Sequence, residues 1–236
     1  MIAICLLLCV ADEAKAANEL LDKTIAALGG AKAVAASHTM TGTGKGTLSL
    51  GPAQTLTNRF TAQGLDRLRW EVDVNGGTLR LGLHAKGVWI AANAGDANHV
   101  DKEVATAFRR GVAALRVVEC PTLLRAKGWK LSPLGELKID DTPAVGLKAS
   151  RTGEPDIDLW FDAKTHLPVK AEIRLAKPGE SAEMTLKATF GDYRNLDGRK
   201  HFGTMKVYQD GNKVLEIERT DVKSSDPVAE ETFTQP

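Results

Sequence analysis

The chain has 236 residues, 43% hydrophobic and 26% charged, so a sizeable core is available to one large domain or two small ones. Its 31 basic residues face 30 acidic ones, and aromatics make up only 5%. That balance offers no field to recruit nucleic acid or anionic lipid and few rings for base stacking, which argues against a nucleic-acid role.

The first segment reads as an address. Ile2 to Ala11 is almost wholly apolar, and Ala14-Lys15-Ala16 supplies a small-x-small cleavage pattern. The run is too short to span a bilayer. No basic residue precedes it, which a start codon set too far downstream would explain, and Asp12 and Glu13 stand where neutral residues are usual. We read residues 1–16 as a signal peptide and 17–236 as one exported, periplasmic domain. Cys9 follows Leu8 rather than a small residue, so lipoprotein anchoring is the lesser reading. Cys5 and Cys9 lie in the signal, leaving Cys120, which can form neither an internal disulfide nor a cysteine-based zinc site. Its apolar neighbours mark it as a small buried hydrophobe.

From Ala17 to Leu28 the spacing of Leu20, Leu21, Thr24, Ile25 and Leu28 predicts an amphipathic helix, stopped by Gly29-Gly30, with a further turn over Ala31 to Ala36. The period then changes to two. Strands are expected over Thr41–Leu50 and Asn58–Ala62, and Leu68, Trp70, Val72 and Val74 alternate with charged residues. Asn75-Gly76 is a hairpin signal, followed by Leu79, Leu81 and Leu83 and a strand at Val88–Ala91. Asp101 caps a helix carrying Val104, Ala107, Phe108, Val112 and Leu115, and Pro121 opens a second short one. Strands return at Val145–Ala149, Ile157–Phe161, Leu167–Leu175, Met184–Phe190, Thr204–Gln209 and Lys213–Val222, with turns at Asp197-Gly198 and Asp210-Gly211. In the hairpin around Ala163–His166, the alternation predicts Ile157, Leu159 and Phe161 on one buried face with Leu167, Val169, Ala171 and Ile173.

These elements make an α+β fold. One curved, mostly antiparallel sheet of about ten strands, an open half-barrel, covers the N-terminal helix and two central helices.

Candidate chemistry is sparse. Gly42-Thr43-Gly44-Lys45-Gly46 lacks the earlier glycine and the strand-to-helix setting of a phosphate loop, and fits a bending strand better. The five histidines show no metal-binding spacing and read as surface or turn residues. Asp140-Asp141 lies in a turn, and Asp156 and Asp158 on a solvent face, where carboxylates keep ordinary acidity. No nucleophile motif is present. The reading is no enzyme, no catalytic residue, no metal and no cofactor.

The phrases Leu159-Trp160-Phe161-Asp162-Ala163-Lys164-Thr165-His166-Leu167-Pro168-Val169-Lys170 and Phe190-Gly191-Asp192-Tyr193-Arg194, with Leu20-Leu21-Asp22, Ala27-Leu28-Gly29-Gly30 and Tyr208-Gln209-Asp210-Gly211, carry a resemblance. In their order of elements they resemble the superfamily of bacterial periplasmic lipoprotein carriers, LolA/LolB-like, which includes outer-membrane lipoprotein-sorting proteins. Lys200-His201-Phe202 departs from it, lacking the proline that many relatives show after the Asp-Gly turn. None of the charged and aromatic residues that open and close the carriers' cavity aligns to a position here.

The resemblance implies an open barrel whose concave face carries acyl chains without catalysis. The expected cargo is a hydrophobic acyl chain or lipoprotein, exchanged with a membrane-associated donor or acceptor protein. The candidate wall is Leu68, Trp70, Val72, Leu79, Leu81, Val145, Leu147, Ile157, Leu159, Val169 and Ile173. The alternative is a periplasmic structural or protein-interaction module with a filled core and no ligand cavity.

Overall fold

The computed structural model describes the backbone of residues 2–196 and 198–234, and side chains from residue 12 onward. Helices α1 (Ile2–Ala27) and α2 (Ala31–Ala35) lead into β1 (Thr39–Leu48), β2 (Gln54–Gln63), β3 (Arg67–Val74), β4 (Gly77–His84), β5 (Gly87–Ala92) and β6 (Asn98–His99). Helix α3 (Lys102–Glu119) and a 3-10 turn at Pro121–Arg125 interrupt the strands. Then follow β7 (Trp129–Ile139), β8 (Thr142–Arg151), β9 (Ile157–Asp162), β10 (Pro168–Ala176), β11 (Glu183–Gly191), β12 (Arg194–Leu196), β13 (Arg199–His201), β14 (Thr204–Gln209), β15 (Asn212–Ser224) and α4 (Glu231–Thr234).

Thirteen strands form one sheet in the order β6-β5-β4-β3-β2-β1-β15-β14-β11-β10-β9-β8-β7, and β12 pairs with β13 apart from it. Every pairing is antiparallel. The ends β6 and β7 do not pair with each other, so the sheet is open, as expected. The first and last strands meet at its centre, from Met40 opposite Ser224 to Leu48 opposite Leu215. The chain thereby joins its two halves through a long-range pairing rather than a hairpin.

Among the described residues, fifteen strands stand where about ten were expected. The largest addition is β7, whose Pro133 and Gly135 break the strand pattern. Both residues are tolerated because β7 is an edge strand with a register shift at Pro133/Gly135. The second central helix is only the 3-10 turn that Pro121 opens. Gly29 and Gly30 end α1 at φ 119° and 91°. The Asp101 carboxylate accepts from the Glu103 amide at 2.7 Å, capping α3 as the sequence implies. The Asp197-Gly198 turn includes Asp197, which lies outside the described residues.

The β9–β10 register holds with one correction. Ile173 faces Ile157 and Ala171 faces Leu159, but a register shift lies between Pro168 and Lys170, and Pro168 rather than Val169 stands opposite Phe161. Val169 is therefore only half-buried. Asp162 accepts amide hydrogens from Lys164 (3.0 Å) and Thr165 (2.6 Å), closing the turn as expected. Trp160 lies on the outer face yet is buried. Its ring covers Gly146, where a Cβ would come within 2.6 Å of it, and Lys170 Nζ stands 5.9 Å from its centroid.

The main core joins α1, α3 and the concave faces of β8 to β11, β14 and β15, including Leu21, Val117, Leu159 and Ile173. A smaller cluster packs Ala105 and Val112 of α3 on Leu81, Leu83 and Val88. On the convex face the C-terminus forms a separate lock. Trp89 Nε1 donates to the Phe233 carbonyl at 2.8 Å, and both side chains are fully buried. This packing needs glycine at 82, since a Cβ there would stand 2.2 Å from Trp89 Nε1 and 2.5 Å from the Phe233 oxygen. Gly82→Val should therefore displace α4 and cost about 1–3 kcal/mol, read as a lowered melting temperature with a shift in tryptophan emission. Unchanged melting would show that the lock is not formed.

Candidate functional site

Inward alternation on neighbouring strands builds a continuous concave wall. Across β2 and β3, Phe60 faces Trp70 and Ala62 faces Leu68. On the other side Met205 faces Ile217, Val207 faces Leu215, and Ala188 lies between Val207 and Ala171. Strand β1 runs between these groups with Gly42, Gly44 and Gly46 on the same face. Their lack of side chains makes room for neighbours: a Cβ at Gly42 would lie 2.6 Å from the Phe60 ring, and one at Gly44 would lie 3.0 Å from Ile217 Cγ2. The glycine run is thus part of a strand, as its context implies.

Helix α3 roofs this wall with Phe108, Gly111, Val112 and Leu115 and leaves a cavity of about 250 Å³. Its lining is overwhelmingly aliphatic and aromatic. Three of the expected wall residues, Leu68, Trp70 and Ile173, line it. Leu147, Ile157 and Leu159 sit in the main core, and Val145 packs against it. Leu81 belongs to the smaller cluster, Val72 is buried beyond the cavity, and Leu79 and Val169 are half-buried away from it. Period-two alternation does not show how far along each strand the helices reach.

One end of the cavity is charged. Arg116 and Glu119 of α3 and Arg219 of β15 border it, and the Glu119 carboxylate accepts from both guanidinium groups. Side-chain exposure is 2% for Arg116, 5% for Glu119 and 10% for Arg219. Arg116 also donates to the carbonyls of Gly64 (2.8 Å), Ser37 (2.8 Å) and His38 (2.9 Å), tying α3 to the segment before β1. Arg199 of β13 donates to the Glu119 carbonyl and, at 3.0 Å, to His201 Nδ1. The Arg219 guanidinium carbon stands 4.0 Å from the centroid of the Phe202 ring and 4.9 Å from that of Phe60.

Burial works to raise the Glu119 pKa, but Arg219 and Arg116 outweigh it and hold it at about 2. Burial, followed by the repulsion of Arg199 and Arg219, lowers His201 to about 4, so its imidazole is neutral and can accept from Arg199. Burial also lowers Arg199 to about 10, leaving it cationic at neutral pH. His201 and His84 are buried rather than at the surface, correcting the sequence reading, while His38 and His99 are exposed. Buried Cys120 points its thiol at the Val34 carbonyl (3.3 Å), and burial raises its pKa. Asp156 and Asp158 share Lys148 on the outer face. Among the described residues, no three His, Cys, Asp or Glu side chains cluster as a metal site requires.

The charged cluster was missed in the sequence, although a signal exists. Val112, Arg116 and Glu119 follow helical spacing, so both charges fall on the apolar stripe. Likewise Arg219 continues the inward alternation of Leu215 and Ile217, and Asn58 that of Phe60 and Ala62.

No family profile and no curated protein sequence matches the chain. Solved structures match its fold. A structure described as an outer-membrane lipoprotein-sorting protein domain, from Vibrio parahaemolyticus, is 13% identical with a TM-score of 0.52, covering 85% of this chain and 94% of its own. A LolA superfamily protein from Nitrosomonas europaea is 12% identical with a TM-score of 0.53, covering 87% and 97%. A DUF1329 family protein from Desulfovibrio piger is 12% identical with a TM-score of 0.54, covering 92% and 96%. The chain has the fold of these proteins.

Two outcomes test the cluster. Glu119→Gln leaves two buried guanidinium groups without their carboxylate and should cost about 3–5 kcal/mol in a denaturant titration. Removing the exposed Arg125–Asp22 pair by Arg125→Ala should cost about 1 kcal/mol or less. His201 has its pKa lowered from 6.5 to about 4, so the unfolded chain binds the proton first as pH falls. The stability from this group is complete above pH 6.5 and is lost progressively toward pH 4. His201→Gln should flatten the melting-temperature profile across that window, and an unchanged profile would show that His201 titrates normally.

Proposed function

We propose that the chain is a non-catalytic periplasmic carrier or binder of hydrophobic cargo, holding an acyl chain of a lipoprotein or lipid between α3 and the concave sheet. The observation that carries this reading is the apolar cavity of about 250 Å³ in the middle of the domain. Ligand pockets are concave, mostly apolar and supplied with few polar groups, which describes this one. A structural module with a filled concave face has no use for such a void, because unfilled space in a core forfeits packing energy. Burying a sixteen-carbon chain supplies on the order of 10 kcal/mol gross, at about 0.8 kcal/mol per methylene.

The fold likeness supports the same reading, since one matching structure is described as a lipoprotein-sorting domain. No described helix is long and apolar enough to cross a membrane. Ala17 is the first buried residue among the described side chains, so loss of residues 1–16 removes none of the described buried side chains. A carrier of this kind exchanges cargo with a membrane-associated donor or acceptor protein.

Protein purified from its own membranes should carry acyl-chain ligands in native mass spectrometry and take up a fluorescent fatty acid. Ala188 lines the cavity, so Ala188→Phe should fill it and abolish uptake while the protein still melts cooperatively. Uptake that survives this plug would place the cargo elsewhere. Expressed in its native host, the exported protein should begin near Ala17; intact Met1 in cytoplasmic protein would overturn the periplasmic assignment.

A further inference from the structure

The charged end of the cavity is not electrically balanced. Arg116, Arg199 and Arg219 converge on Glu119, and no other carboxylate pairs with any of the three among the described residues. Three guanidinium groups against one carboxylate leave uncompensated positive charge in a buried setting. Buried charge of one sign is costly unless an opposite charge meets it.

Two donors at this end are also unpartnered. Arg219 Nη1 and Asn58 Nδ2 are buried and make no hydrogen bond, and both residues line the cavity. Asn58 is 7% exposed, and its Oδ1 accepts from Trp70 Nε1 at 3.4 Å, which leaves the amide nitrogen outward from that contact. Gly44 stands opposite Asn58 on one side and opposite Arg219 on the other. Gly44 contributes no side chain there, and Asn58 Nδ2 and Ile217 Cγ2 lie 3.1 and 3.0 Å from where its Cβ would stand, so both donor-bearing residues border the cavity on either side of β1. Buried donors without acceptors are uncommon and call for an explanation.

Size narrows the occupant. Pockets for small molecules span roughly 300–1,000 Å³. This cavity, at about 250 Å³, falls just below that range and suits one chain rather than a bundle of several. Resting on the hydrophobic-cargo reading above, we propose that the cargo is a single-chain fatty acid whose ionised carboxylate lies between Arg219 and Asn58. The tail then occupies the apolar wall, and the headgroup supplies both the missing negative charge and the acceptors for the two donors. Charge-assisted hydrogen bonds of this type are the strong ones, and a guanidinium matches a carboxylate in shape.

Trp70 lines the cavity, so its fluorescence reports occupancy. The purified protein is titrated at pH 8 with dodecanoate, dodecanol, dodecylammonium and dodecyl phosphate, which share one tail. Dodecanoate should bind about tenfold more tightly than dodecanol. Arg219→Gln should bring the two within about twofold. Asn58→Leu, which leaves the ion cluster intact, should also narrow the difference. If Arg219→Gln fails to fold, an unchanged ratio in Asn58→Leu counts against the proposal. Binding of no ligand would overturn the cargo reading and this inference together. Equal binding of acid and alcohol would overturn this inference alone, as would dodecylammonium or dodecyl phosphate binding more tightly than dodecanoate.

Discussion

The structure turns on the Glu119 carboxylate, which the last turn of α3 holds against Arg219 at the centre of the sheet. Helix α3 would otherwise rest on a concave surface with nothing but apolar contacts, which are non-directional and permit sliding. The ion cluster fixes one end of the helix in position and rotation. Arg116 extends the hold to the carbonyls of Ser37, His38 and Gly64, so the same residues fasten the entry to β1. The other end is held differently, by the Asp101 cap and a hydrogen bond from the Gly179 amide to Glu103 at 2.8 Å. Between these two fixed ends the roof spans a space lined mainly by aliphatic and aromatic side chains.

Much of this was legible in the sequence because sheet and helix impose different periods on apolar residues. Leu68, Trp70 and Val72 alternate with charges, and that alternation alone places them on the inner face. Gly29-Gly30 and Asp101 mark helix ends through backbone chemistry that does not depend on the rest of the fold. What failed were positions where local pattern and tertiary setting disagree. Strand β7 contains Pro133 and Gly135, which deny a central strand but not an edge one, and a sequence does not say which strand is the edge. Val169 follows the alternation and is still only half-buried, because the register shift at Pro168/Lys170 interrupts it.

The candidate site was legible in outline and hidden in its polar part. An arginine or glutamate on a helix is usually solvated, and only the coincidence of Arg116 and Glu119 with the stripe of Val112 marks them as buried. Their partner Arg219 lies about a hundred residues away, and no spacing rule connects them. The glycines of β1 show the same limit. As a motif they suggest a phosphate loop, whereas in the sheet they are the absence of side chains under Phe60, Asn58 and Ile217. The meaning of a small residue lies in what its neighbours place over it.

An open sheet of thirteen strands exposes two lateral borders, each a row of backbone donors and acceptors able to recruit a foreign strand. At one border β6 contributes only Asn98 and His99, too short a ladder to template another chain. At the other, Pro133 removes a donor and the neighbouring bulge bends the strand, while α1 lies against β7. The irregularities that make β7 hard to recognise are therefore also its protection. A sheet that stays open does not eliminate those borders by closing on itself. It blunts them one residue at a time, and so remains open without becoming adhesive.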